Sequence, residues 1–190
     1  MILFLTNNQI TKPLFDWLRE KEENIIMIDY KITMDFLNKI KPKLIISYNY
    51  KFIIPKDIVS NYKIINLHIS YLPFNKGAYP NIFSHISNTP SGVTIHYIDE
   101  GIDSGDIILQ KKIKINQTET LSSSYIKLHH EIQRLFIENY PRLLDIKPKP
   151  QEGEGSINYM KDFEKIKQFL PKGYETTIKT FKELYENSKL

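Results

Sequence analysis

The amino-acid sequence predicts an α/β domain built around a mainly parallel β-sheet. Two observations carry that expectation. Short apolar runs recur at residues 1–5 (MILFL), Ile25–Ile28 (IIMI) and Leu44–Ser47 (LIIS), the mark of strands buried on both faces. Between them, apolar residues fall at helical spacing: Leu14, Phe15, Trp17 and Leu18 within residues 11–21, and Phe36 and Leu37 within 34–39. Alternation of this kind implies parallel strands joined by right-handed crossovers.

Each element has a local reason. The first strand meets the turn formers Thr6-Asn7-Asn8, and Pro13 is tolerated in the first turn of the helix that follows. Lys41-Pro42 leads into the third strand, and a loop occupies 48–55. The fourth strand, 62–67, carries Asn66 near its end. Ligands of open α/β sheets bind beyond the carboxyl ends of the strands, so Asn7-Asn8, 48–54 and 66–70 should converge on one crevice. A turn-rich loop at 73–77 precedes a helix over 81–87. Residues 92–98 (GVTIHYI) alternate and are β-branched, giving a strand with Val93, Ile95 and Tyr97 on one face. An acidic loop at 99–106 leads to a strand at 107–115, antiparallel to its predecessor. The longest helical pattern, 122–142, buries Tyr125, Leu128, Ile132, Leu135 and Phe136. Composition then shifts to PKPQEGEGS at 148–156, a loop or linker. Short helical patterns at 163–170 and 174–185 follow, separated by Pro171 and Gly173. A domain over 1–147 is thus expected to carry a linker and short helical tail over 148–190. That tail is too small for a core of its own, so it docks on the domain or on another subunit.

Composition narrows the class. With 190 residues, 41% hydrophobic and 25% charged, the chain can bury a sizeable core. A net charge of +4 spread along the chain argues against a nucleic-acid surface. There is no cysteine, which excludes disulfides, zinc–thiolate sites and a cysteine nucleophile. The first apolar run is too short for a signal peptide, and no stretch approaches the roughly 18 apolar residues of a membrane span. A cytoplasmic protein away from the membrane is expected.

The chemistry concentrates between Ile65 and Ile108. Asn66 and His68 alternate on the fourth strand, so they share a face. An amide and an imidazole at a strand end can donate to a developing oxyanion. Asp103 returns to the same edge through a helix and a strand; a carboxylate beside an imidazole fixes its tautomer and favours its protonated form. Singly these are a capped strand end, a core histidine and an acidic turn; together, in this context, they point to catalysis. His96 lies inside a strand and reads as structural or as support for Asp103. His85, His129 and His130 lack metal-ligand spacing and read as surface or helix-face residues, so no metal is implied.

This stretch resembles the catalytic domain of the folate-dependent formyltransferases. The family pattern N-x-H-x-S-x-L-P appears as Asn66-Leu67-His68-Ile69-Ser70-Tyr71-Leu72-Pro73, followed by Gly92-Val93-Thr94-Ile95-His96 and by an acidic loop ending Asp103-Ser104-Gly105. The likeness is strong over roughly residues 42–115, weaker over the first strands and poor in the tail. It implies a Rossmann-like formyltransferase fold and a catalytic triad of Asn66, His68 and Asp103. It also implies N10-formyltetrahydrofolate as donor, its pterin lying against main-chain groups of Lys51, Phe52 and Ile53 and of Tyr97, Ile98, Asp99, Gly101 and Asp103.

Among family members the glycinamide ribonucleotide enzymes carry a glycine-rich loop after the first strand, where this chain reads Thr6-Asn7-Asn8-Gln9. Methionyl-tRNA enzymes carry a second domain in place of the short tail. The sugar N-formyltransferases are most similar: Pro73-Phe74-Asn75-Lys76-Gly77 and Tyr79-Pro80-Asn81 match their P-x-N-R-G…P-N segment, with lysine for arginine. The resemblance therefore implies a nucleotide-linked, dTDP by preference, 4-amino-4,6-dideoxy sugar as acceptor, in surface polysaccharide (O-antigen) synthesis. Asn8, Lys76, Tyr79 and Asn81 are the candidates to touch it, Asn8 reading equally as a helix cap. It also points to a homodimer. The rival readings are a glycinamide or methionyl-tRNA acceptor, a formyl-folate hydrolase, and a non-catalytic binding module.

Overall fold

The computed structural model describes residues 1–189. β1 (Ile2–Leu5), β2 (Ile25–Ile28) and β3 (Leu44–Ser47) are linked by α1 (Lys12–Lys21) and α2 (Met34–Ile40). Then come α3 (Lys56–Asn61), β4 (Ile64–His68), β5 (Lys76–Gly77), α4 (Pro80–Ile86), β6 (Gly92–Tyr97), β7 (Ile107–Lys112) and α5 (Leu121–Asn139). β8 (Ile157–Asn158), α6 (Met160–Ile166) and α7 (Ile178–Asn187) complete the described chain. Six strands form one sheet in the order β2-β1-β3-β4-β6-β7, and β5 pairs with β8 in a second, two-stranded sheet. β1 to β4 run parallel; β6 is antiparallel to β4, and β7 to β6.

Alternation along β1 explains the two core layers. Ile2 and Phe4 face one side, where α1 and α5 bring Leu14, Leu18, Leu128, Ile132 and Phe136. Leu3 and Leu5 face the other, against Leu37 of α2 and Ile58 of α3. Caps set the helix ends: the Thr33 side chain accepts from Phe36 N–H, and Thr120 and Ser123 form a reciprocal capping box on α5. α5 stops at Asn139, short of the expected 142. Tyr140 precedes Pro141 and is extended, the conformation a following proline favours. α3 had no sequence signal, because KDIVSN buries only Ile58 and shows no apolar stripe. The tail docks on the domain: Phe163, Ile166, Ile178 and Phe181 join Ile82, Phe83 and Leu121 in a third cluster.

Among the described residues no helix is long and apolar enough to cross a membrane. His85 and His129 correct the surface assignment. They are 7% and 0% exposed, because both point inward from their helices. Burial, with Lys182 nearby and despite Glu119, pushes the His85 pKa down to about 4; burial, helped by His130, pushes His129 down to about 3. Both stay neutral when folded, while the unfolded chain takes up protons below about pH 6.5. Their contribution is therefore complete above that pH and lost as pH falls toward 4 and 3. Urea unfolding should show stability declining by about 3 kcal/mol or more between pH 7 and pH 5. An unchanged unfolding free energy across that range would contradict two buried neutral imidazoles.

Candidate active site

A cavity of about 820 Å³ opens over the carboxyl ends of β3 and β4. Its floor is set by strand geometry. Asn66 and His68 share a face of β4, and the antiparallel register pairs Asn66 with His96 of β6. The 98–106 loop brings in Asp103, in the left-handed conformation at φ 46°.

Asp103 is gripped from several sides. Its Oδ1 accepts from Asn66 Nδ2 at 3.0 Å and its Oδ2 from the Gly77 N–H at 2.8 Å. His68 Nδ1 stands 3.7 Å from Oδ2, and His96 Nε2 stands 3.5 Å from Oδ1. Burial works against the carboxylate, but the His68 imidazole and the Gly77 N–H hold its pKa well below the usual range. His96 Nδ1 donates to the Tyr97 carbonyl at 2.8 Å, which leaves Nε2 to accept from Asn66 Nδ2 at 3.2 Å. The Asn66 amide is thereby locked with its NH2 toward the carboxylate.

His68 is only 8% exposed and lies between two acceptors. Nε2 reaches the Asn75 carbonyl at 3.2 Å, and Nδ1 faces Asp103. Burial lowers its pKa more than Asp103 raises it, with His96 also opposing the charge. Asp103 favours the charged imidazole, as the sequence implies, but enclosure outweighs it. The ring is a neutral base whose charged form has a carboxylate waiting beside it.

The segment read as a linker supports this floor. Gln151 Nε2 donates to the carbonyls of Asp103 at 2.7 Å and Gly105 at 2.9 Å. Lys76 N–H donates to Ser156 O, and Ala78 N–H to Asn158 O, both at 2.8 Å. Ser156 Oγ accepts from Asn75 N–H at 2.8 Å. Residues 151–158 therefore clamp the segment 75–78, whose Asn75 and Gly77 touch His68 and Asp103.

The other candidates divide. Lys51, Phe52, Ile53, Ile98, Asp99 and Gly101 line the cavity. Tyr97 does not: its ring packs on the core, and its carbonyl serves His96. Tyr79 and Asn81 line it, but both amide atoms of Asn81 are engaged, by Leu121 O and Ser124 Oγ. Lys76 does not line it, since its strand is occupied with β8. Asn8 caps the turn at Gln9–Thr11 and reaches the cavity only through Tyr125 Oη, at 3.1 Å. Sequence reading assigned no task to Gly77, Gln151, Met160 or Tyr174, the last two being exposed apolar side chains of the cavity wall. Only His96, opposite Asn66 on an alternating strand, left a readable signal.

A locked amide, a buried imidazole and an ionised carboxylate lie below a cleft at strand ends, groups of the kind that can support acyl-type group transfer. The formyl transferase family model matches residues 18–139, and the chain belongs to that family. It is 32% identical over 127 residues to dTDP-4-amino-4,6-dideoxyglucose formyltransferase of Mycobacterium tuberculosis, covering 66% of this chain and 54% of that protein. It is 38% identical over 128 residues to the methionyl-tRNA formyltransferase of Thermodesulfovibrio yellowstonii, covering 63% and 42%. The chain thus spans about half the length of these relatives. Among solved structures, the formyltransferase PseJ of Anoxybacillus kamchatkensis, in complex with UDP-4,6-dideoxy-4-formamido-L-AltNAc and tetrahydrofolate, superposes with a TM-score of 0.88. The two chains are 40% identical, with 95% of this chain and 96% of that one covered.

Proposed function

We propose that the protein transfers a formyl group from N10-formyltetrahydrofolate to the amine of a nucleotide-linked 4-amino-4,6-dideoxy sugar. The observation that carries this reading is the ionised Asp103, set between Asn66, Gly77 and His68 at the floor of a cavity wide enough for two ligands. The loops at 51–54 and 98–103 fit the folate, offering apolar side chains beside main-chain groups at one end of the cavity. That donor supplies the formyl carbon. The acceptor is assigned to the part of the wall formed by Tyr79, Tyr125, Met160 and Tyr174. UDP is the leading nucleotide by likeness to PseJ, because that match takes in the tail; dTDP, the preference drawn from sequence, is supported by the mycobacterial relative.

Each residue has a step. As the amine attacks, Asn66 Nδ2 exchanges one of its two resting partners, Asp103 Oδ1 or His96 Nε2, for the formyl oxygen on which negative charge gathers. His68 Nδ1 accepts the proton that the new C–N bond makes acidic, and Asp103 balances the resulting imidazolium. His68 returns the proton to the departing folate nitrogen. The products are the formamido sugar and tetrahydrofolate. The reading extends to a cytoplasmic homodimer that supplies surface polysaccharide synthesis.

The test incubates the enzyme with formyl donor and a panel of UDP- and dTDP-linked amino sugars, followed by mass spectrometry. One nucleotide sugar should gain a formyl group, with little formate released when the amine is omitted. Equal formate release without any amine would replace the transferase with a hydrolase.

A further inference from the structure

A buried chain of hydrogen bonds below the cavity fixes the direction in which Asn49 faces. This residue follows β3 at φ 52° and lines the cavity. The chain starts at the Ile10 carbonyl, which accepts from Gln133 Nε2 at 2.8 Å, so the Gln133 NH2 lies on that side. Its second hydrogen goes to Tyr48 Oη at 3.3 Å. Tyr48 is fully buried and must place its own hydrogen; His129 Nδ1, at 2.6 Å, takes it. A neutral His129, bare at Nδ1, carries its proton on Nε2. That N–H faces the Asn49 amide, 3.5 Å from Nδ2.

A second chain arrives from Asn8. The Ile10 N–H donates to Asn8 Oδ1 at 3.1 Å, which leaves Asn8 Nδ2 to donate to Tyr125 Oη, also at 3.1 Å. The Tyr125 hydroxyl accepts from Asn49 Nδ2 at 3.3 Å and could equally donate to an Asn49 oxygen placed there. An amide nitrogen can accept from neither neighbour. A half-turn of the amide exchanges its oxygen and nitrogen with little change in shape. The His129 chain therefore calls for the Asn49 carbonyl oxygen toward His129, an orientation Tyr125 also accommodates, and for its NH2 toward the cavity.

We propose that the Asn49 NH2 is a specificity-determining donor to an oxygen of the acceptor nucleotide sugar. This rests on the acceptor assigned above. Position selects acceptor over folate. Asn49 touches Tyr125, which the reading above gives to the acceptor, whereas the carboxylates of the cavity wall, Asp99, Glu100 and Asp103, all come from the 98–106 loop. The oxygen belongs either to the diphosphate or to the sugar.

The test uses Asn49→Asp and Asn49→Gly, since Asp and Gly both tolerate a left-handed backbone. Asp keeps an oxygen for His129 and Tyr125 but turns a second oxygen to the ligand. Calorimetry should show nucleotide-sugar Kd raised about tenfold or more in both, further in Asn49→Asp, with folate Kd within about twofold of wild type. Parallel loss of UDP or dTDP affinity identifies the diphosphate as partner; loss confined to the complete nucleotide sugar identifies a sugar oxygen. Unchanged nucleotide-sugar affinity in both variants, with folate still bound, overturns the proposal. So does a nitrogen NMR spectrum of the wild type with His129 protonated at Nδ1. A wild-type enzyme that binds folate but no nucleotide sugar overturns the acceptor reading instead, and this donor role with it.

Discussion

Asp103→Asn should lower turnover by about a thousandfold while the protein stays folded and binds folate. The backbone reason for survival is local: asparagine also accepts a φ of 46°. The chemical reason for the loss is that an amide has one acceptor oxygen where the carboxylate has two. Asn66 Nδ2 and the Gly77 N–H both point donors at this side chain. One of them would meet an NH2, and nothing would balance charge on His68. Steady-state kinetics and a thermal melt check this together. Wild-type turnover in Asp103→Asn would take the carboxylate out of the mechanism.

Gly77→Ala should cut turnover by about a hundredfold, roughly the worth of one oxyanion-type donor, and cost about 1–3 kcal/mol of stability. Gly77 sits at φ 81°, and a Cβ there would lie 2.5 Å from the Asn158 carbonyl oxygen. β5 must then part from β8 and carry the Gly77 N–H off Asp103. Turnover should fall much further than folate affinity. A variant that melts earlier yet turns over normally at low temperature would reduce the β5–β8 pair to a fastening.

The sequence revealed what repeats locally. Four-residue apolar runs marked β1, β2 and β3, and the N-x-H spacing placed Asn66 and His68 on one face of β4. Other features depend on contacts far along the chain. β5 and β8 are two residues each, too short for any periodicity, and they pair across a long separation. His129 looked like an ordinary helix-face residue because its partner, Tyr48, belongs to another element. The net protonation of His68 is hidden for a similar reason. Its neighbour Asp103 was visible in the sequence, but the enclosure that outweighs that neighbour is a property of the fold.

The family model ends at residue 139, yet Gln151, Ser156 and Asn158 steady the reacting groups, while Met160 and Tyr174 stand in the wall assigned to the acceptor. On the proposed reading the acceptor wall thus combines Asn49, Tyr79 and Tyr125, inside the family boundary, with Met160 and Tyr174 beyond it. If that reading holds, a graft exchanging the stretch after residue 159 between family members, with 151–158 kept in place, should shift acceptor preference without abolishing the chemistry. A cut made at the family boundary would silence it.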